Sequence, residues 1–274
     1  MSPGNLDVRW HPGHPVPKFD TAPPLQVHAY DERTLILRQN KALNYEAPFL
    51  FLLSGDERSL LLDTGATADP AYFPLRATVD DLIGDRELVV AHTHGHGDHV
   101  AADGQFADRP RTTVVGRELA DVAEFFGFRD WPEDVRQFDL GGRVLDLIPG
   151  PGHQDAAVVF HDRETGILFT GDTLYPGRLY VFDLPAYTAT IDRLIGFCGQ
   201  KQVTHVLGCH IEMTAEPGVD YPIGTTYQPD EPPLQLTPGH LRDLRAALAK
   251  VDGGHGIHVF DEFIVHHHAV HRHR

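Results

Sequence analysis

Apolar residues recur along this chain in two rhythms. Short alternating or continuous runs at 25–30, 33–38, 47–54 and 58–63 have the period of strands, and Ser54-Gly55-Asp56-Glu57 offers a hairpin turn between the last two. Residues 75–84 and 117–126 space their apolar positions as helices do. Leu88-Val89-Val90-Ala91 reads as a buried strand, and a short helix is expected after His99. Further strands are predicted at 112–115, 143–148, 156–161, 166–170 and 203–208, with a helix at 186–198 between the last two. Thr237-Pro238 opens a final helix to about residue 250, with threonine as N-cap and proline at the first helical position.

Residues 1–24 are rich in Pro and Gly and read as an irregular N-terminal arm, and 213–274 read as a C-terminal extension with one helix. Strands at both ends of the chain with helices between them imply stacked sheets covered by helices, an α+β architecture in a single domain over 1–274. There is one faint internal echo. Leu61-Leu62-Asp63-Thr64-Gly65 resembles Leu168-Phe169-Thr170-Gly171-Asp172-Thr173, each a strand running into an acidic turn.

Composition narrows the partners. Hydrophobic residues make up 41% of the 274, ordinary for a globular protein. The formal net charge is -16 and no basic run occurs, which argues against nucleic-acid binding, because that affinity rests on clustered Lys and Arg. The stretch up to Lys18 lacks the apolar core of a signal peptide, and no apolar run approaches the length of a membrane span. Cys198 and Cys209 give no disulfide framework. The expectation is a cytoplasmic protein that acts on a small molecule away from the membrane, with homo-oligomerisation left open.

The chemistry concentrates in His94-Gly95-His96-Gly97-Asp98-His99, four potential metal ligands in six residues, emerging where the run 88–91 ends. In extended chain His94 and His96 point to the same side and can grip one ion. Asp98 and His99 reach a second ion only if the chain turns, which Gly95 and Gly97 permit. Two ions need further ligands, sought at other strand ends where His, Asp or Cys follows an apolar run. His153 after Pro149-Gly150-Pro151-Gly152, Asp172 after Ile167-Leu168-Phe169-Thr170-Gly171, and His210 after the strand at 203–208 qualify. His205 lies on the opposite face of that last strand, Cys209 is expected to point away and pack, and His92 fits a core or supporting place. The late histidines His255, His258, His266, His267, His268, His271 and His273 lack a strand-end pattern and are expected at the surface or in the tail.

Thr93-His94-x-His96-x-Asp98-His99, the loop ending in His153, the Gly171-Asp172-Thr173 turn and the final His210 occur in an order that resembles the metallo-β-lactamase-fold hydrolases, over roughly residues 45–212. The resemblance implies a four-layer αββα sandwich with metals in a groove at its edge. It implies that His94, His96 and His153 hold one ion and Asp98, His99 and His210 a second. Asp172 would bridge them, and Asp63 would support the ligand loop through hydrogen bonds. Zinc suits such donors best, and two zinc ions are expected, with iron or manganese as alternatives.

Two ions would make hydroxide available near neutral pH to attack a carbonyl or phosphoryl centre, with Asp98 accepting and returning its proton. A bridging Asp172 resembles the glyoxalase II and lactonase branch more than true β-lactamases. Tyr175 resembles the tyrosine that helps hold the substrate carbonyl in acyl-homoserine lactonases, and plain aromatic packing is the competing reading. Glutathione-thioester hydrolases of this family carry a sizeable helical C-terminal domain, and the single helix after residue 236 argues against glutathione. The segment Tyr221 to Leu236 either overhangs the groove or is a Pro-rich connection. The expected function is a dinuclear metal-dependent hydrolase of an ester, thioester, lactone or related carbonyl. A mononuclear iron sulfur dioxygenase is the alternative, with a phosphodiesterase, nuclease or β-lactamase further off.

Overall fold

The run Phe49 to Leu53 has no polar face because both its faces are covered. Phe49, Phe51 and Leu53 enter one buried cluster, while Leu50 and Leu52 enter another on the opposite side. In the computed structural model, which describes residues 4–268, this run forms β3 (Phe49–Ser54). It belongs to a six-stranded sheet with β1 (Leu25–Ala29), β2 (Thr34–Gln39), β4 (Arg58–Leu62), β5 (Glu87–Ala91) and β6 (Thr112–Val114), in sequential order. β1 to β4 pair antiparallel, with the expected hairpin between β3 and β4, and β4, β5 and β6 pair parallel.

The second six-stranded sheet contains β7 (Arg136–Asp139), β8 (Val144–Pro149), β9 (Val158–Asp162), β10 (Ile167–Gly171), β12 (His205–Gly208) and the short β13 (Gln235–Leu236). β7 to β10 are antiparallel and β12 joins β10 in parallel. β4 and β10 therefore hold the same place, the last antiparallel strand before a parallel crossover. That shared place gives the sequence echo its structural meaning, since Asp63 and Asp172 each follow such a strand.

Phe51, Leu60, Val89, Leu147, Phe160 and Phe169 pack between the sheets, with the Phe51 and Phe169 ring centroids 4.6 Å apart. α1 (Leu75–Ile83) covers Leu50, Leu61 and Val90 on the outside of the first sheet. α4 (Leu184–Cys198) and α5 (Pro238–Val251) cover Ile148, Leu168 and Val206 outside the second. α3 (Leu119–Phe126) closes one end of the inner cluster with Val122 and Phe126. The layers are αββα, as the resemblance implied. α4 starts two residues before its expected position because Asp183 accepts the Ala186 N–H and Pro185 fits the first turn. Thr237 caps α5 as expected.

The C-terminal extension holds its one helix and also strands that the pattern did not reveal. β14 (Gly256–Val259) and β15 (Ile264–His267) form a third sheet with β11 (Arg178–Val181). His266 and His267, expected at the surface or in the tail, are instead buried in β15, which pairs in parallel with β11. Imidazoles interrupt the apolar alternation of β15, and charged residues do the same in β7 and β11. His271 and His273 lie outside the described residues. The N-terminal arm is irregular apart from one 3₁₀ turn, Pro17–Phe19. Trp10 anchors it against Phe49, with ring centroids 4.8 Å apart, and Gly13 bridges to Tyr227. No helix among the described residues is long and apolar enough to cross a membrane.

One buried cation ties the two sheets together. The Arg143 guanidinium donates to both oxygens of Asp162 in the second sheet, at 3.2 and 2.7 Å, and to the carbonyl of Arg33 (2.7 Å) and the hydroxyl of Thr34 (2.8 Å) beside the first. Burial opposes ionisation of Asp162, but the Arg143 guanidinium outweighs it and holds the carboxyl below its ordinary range. Removing the arginine alone strands a buried carboxylate, so Arg143→Ala is expected to destabilise the fold by about 3–5 kcal/mol. A lowered urea midpoint with an unchanged m value would report it, and a midpoint unmoved from wild type would show that the staple is dispensable.

Candidate metal centre

The first ligand loop leaves β5 at Ala91 and crosses the open edge of the sandwich. Neither Gly95 nor Gly97 takes the left-handed backbone, so their conformational freedom does not make the turn. The turn is α2 (Gly97–Val100), a single turn of helix in which neighbouring side chains lie about 100° apart, so Asp98 and His99 can serve one centre. In the 149–153 loop a specific glycine is required. Gly152 has φ 130°, and a Cβ there would lie 2.4 Å from the backbone nitrogen of Tyr187 in α4. Only glycine lets this loop run against the helix and aim His153 at the cavity.

Two groups of ligand atoms converge. His94 Nε2, His96 Nδ1 and His153 Nε2 approach one another at 3.0, 3.0 and 3.2 Å. His210 Nε2 lies 3.3 Å from His99 Nε2, 3.4 Å from Asp98 Oδ2 and 3.4 Å from Asp172 Oδ1. Asp172 stands between the groups, with Oδ1 3.5 Å from His99 Nε2 and Oδ2 3.6 Å from His153 Nε2 and 3.9 Å from His94 Nε2. The seven residues expected to cluster are thus brought together, and His205 is not among them.

Hydrogen bonds behind the rings decide which nitrogens face inward. His153 Nδ1–H donates to the Tyr180 carbonyl (2.7 Å), His210 Nδ1–H to the Glu46 carbonyl (3.1 Å) and His99 Nδ1–H to Asp63 (3.0 Å). His94 Nδ1 lies 3.3 Å from the Thr93 hydroxyl, which itself donates to Asp63 at 2.8 Å. Each of these rings therefore turns its Nε2 toward the centre. Zinc–nitrogen bonds of about 2.0–2.1 Å in a tetrahedral array set ligand atoms about 3.3 Å apart, close to the spacing here. Asp172 Oδ1 is buried without a hydrogen-bond partner, as an oxygen reserved for a cation would be. The donor set fits metal ions.

Burial depresses the imidazoles of His94, His96 and His153, the last to about 4, so this group is neutral and able to ligate. Burial acts the same way on the second group, but Asp172 and Asp98 outweigh it and raise His210 to about 9 and His99 well above the ordinary histidine range. Burial also opposes ionisation of Asp98 and Asp172, yet the neighbouring imidazoles hold both carboxyls well below the usual range.

Asp63 is buried and accepts from the Thr93 N–H and hydroxyl (2.7 and 2.8 Å), from His99 and from the Cys209 thiol (3.4 Å). Cys209 packs behind the ligands. His92 is buried with Nε2 3.4 Å from Asp103 Oδ2. Tyr175 lies under the cavity against His210, with ring centroids 5.4 Å apart. The Tyr175 hydroxyl, which the resemblance would place on a substrate carbonyl, instead donates to the Arg178 carbonyl at 2.5 Å and is buried.

The cavity above the ligands measures about 230 Å³. Larger cavities of about 440 and 470 Å³ at the N-terminal arm, and one of about 310 Å³ beside Met213, are lined by none of the clustered ligands, so chemistry rather than size marks this site. Sequence reasoning missed several parts of it. The carbonyls of Glu46 and Tyr180 carry no side-chain signal, and the lining residues Tyr45, Phe182 and Ile223 belong to no motif. Ile223 shows that the start of the 221–236 segment reaches the cavity, while Gln228 donates its N–H to the Pro12 carbonyl of the arm at 2.7 Å.

The Metallo-beta-lactamase superfamily pattern matches residues 47–251. The chain is 31% identical over 155 residues to a hydroxyacylglutathione hydrolase of Rhizobium meliloti, covering 53% of this chain and 60% of that protein. It is 26% identical over 201 residues to the acyl-coenzyme A thioesterase MBLAC2 of Homo sapiens, covering 59% of this chain and 72% of that one. Other hydroxyacylglutathione hydrolases, from Gloeothece citriformis among them, are matched over about half their length (51%). Among solved structures, a metallo-beta-lactamase from Pontibacter korlensis shares the fold, with TM-score 0.52 and 24% identity over 68% of this chain and 91% of that one. By the span and specificity of the family match, this chain belongs to the metallo-beta-lactamase superfamily.

Proposed function

We propose that the protein is a dinuclear metal-dependent hydrolase acting on a thioester or on a chemically related ester or lactone. The observation that carries this reading is the convergence of two ligand groups on one shared carboxylate, Asp172. His94, His96 and His153 would hold one divalent cation, Asp98, His99 and His210 the other, and Asp172 would serve both. Zinc fits the nitrogen and carboxylate donors best, with iron or manganese as alternatives. Such a pair of cations supplies Lewis acidity and makes hydroxide available at neutral pH. Both relatives are named for thioester cleavage, which supports that substrate class. The complete second group favours two ions over the mononuclear iron alternative.

The chain's own residues supply proton transfer and orientation. Asp98 turns Oδ2 toward the ring nitrogens of His99 and His210, leaving Oδ1 as the atom to take up a proton during attack. Asp63 holds the His99 ring and, through Thr93, the His94 ring in the tautomer that faces inward. Tyr45, Phe182 and Ile223, the apolar side of the cavity, would hold the acyl group and exclude water from that flank.

Elemental analysis of purified protein is expected to give close to two divalent ions per chain. Chelation should abolish hydrolysis of a thioester panel, and about two equivalents of zinc should restore it. Full activity in stripped protein would falsify the reading. Asp172→Ala is expected to lower kcat by roughly a hundredfold or more and to cut the metal content, and a metal-loaded Asp172→Ala enzyme with wild-type kcat would rule out the shared carboxylate. Asp63→Ala, which touches no proposed ion, is expected to weaken metal affinity by roughly 10–100-fold in chelator competition, and an unchanged affinity would show that the His99 tautomer needs no carboxylate behind it.

A further inference from the structure

One side of the cavity is apolar, and the fixed charges beside it, apart from the candidate ligands, are mostly negative. Tyr45, Phe182 and Ile223 line the cavity while remaining 41%, 40% and 64% exposed. Large apolar side chains left open to solvent around one cavity mark a surface that an apolar ligand covers. Tyr180 continues the wall and stacks on His268, with ring centroids 5.7 Å apart.

Among the described residues, Arg178 is the only lysine or arginine lining this cavity, and its charge is already matched. Its guanidinium donates to Glu212 at 2.6 Å, to Asp220 at 2.8 Å and to the Tyr221 carbonyl at 2.7 Å. One guanidinium thus faces two carboxylates, and Glu46 adds another at the lining. Away from the ligand groups, an anionic arm of a substrate drawn in here leaves water for a space next to Glu46 and Glu212, with no unmatched lysine or arginine among the described lining residues to receive it.

We infer that the site takes substrates whose part inside the cavity is uncharged and apolar, and that it discriminates against thioesters of the glutathione type. The fitting class is an acyl chain on a neutral thiol or alcohol, or a lactone. This inference rests on the hydrolase reading above. Glutathione carries carboxylates on both arms beside its sulfur, whereas the tip of a pantetheine-like thiol is neutral.

The test uses the metal-loaded full chain and one acyl group, hexanoyl, on two thiols, N-acetylcysteamine and glutathione. The neutral thioester is expected to show kcat/KM higher by roughly tenfold or more. Equal values, or a preference for the glutathione thioester, overturn the inference and leave the hydrolase reading standing. If neither thioester turns over, the thioester reading fails and calorimetric binding of the two free thiols decides the charge question. Glutathione binding more weakly by roughly tenfold supports the inference, and equal or tighter binding overturns it. Glu46→Lys reverses one charge at the lining and is expected to narrow the ratio several-fold, and a ratio unmoved in a folded variant counts against it.

Discussion

The candidate site depends on a carboxylate sealed from solvent. Asp63 follows β4 with φ 66°, a left-handed backbone that aspartate tolerates better than most residues. Its side chain is fully buried, and a charge in that position is sustained only when its lone pairs are filled. Four donors fill them, from two segments. The Thr93 N–H, the Thr93 hydroxyl and the His99 ring belong to the loop after β5, and the Cys209 thiol follows β12. The backbone repeats the lacing, since the Thr64 N–H donates to the His99 carbonyl at 2.7 Å and Ala101 to Gly65 at 3.0 Å. The turn that brings Asp98 and His99 to one centre is therefore secured by Asp63 and its neighbours rather than by glycine in the loop itself.

The same logic explains why both sheets are needed. His94, His96, Asp98 and His99 come from the edge of the first sheet, while His153, Asp172 and His210 come from the second. Neither ligand group is complete on one sheet. The inner aromatic packing of Phe51 on Phe169 and the buried Arg143 staple thus bear directly on the convergence of the candidate ligands, because sliding one sheet against the other would pull each group apart.

Most of this was legible in the chain. Strands buried on both faces announce themselves as continuous apolar runs, and ligands placed at their ends stand out against that background. The seven candidate ligands are readable because each is a His or Asp side chain just beyond the end of an apolar strand. Other contributions left no such trace. The carbonyls of Tyr180 and Glu46 orient His153 and His210 with backbone atoms that every residue possesses. The resemblance would turn the Tyr175 hydroxyl to a substrate carbonyl, but in an enclosed setting a hydroxyl takes the nearest acceptor, here the Arg178 carbonyl. β15 escaped because its histidines look polar in sequence, whereas in the fold their rings pack as aromatic bodies.

That third sheet connects the end of the chain to the chemistry. β15 pairs with β11, and β11 carries both the Tyr180 carbonyl that orients His153 and the Tyr180 ring that lines the cavity. His268 then stacks on Tyr180 and on Phe182 with interplanar angles of 20° and 21°. The Tyr180 and Phe182 side of the cavity is thus backed by the last described residues, while the candidate ligands come from the two central sheets. Because His268 stacks on Tyr180 and Phe182, and these reach His153 through the Tyr180 carbonyl and the Phe182 ring, changes in the C-terminal strands would bear on the cavity wall and on the seating of His153 together.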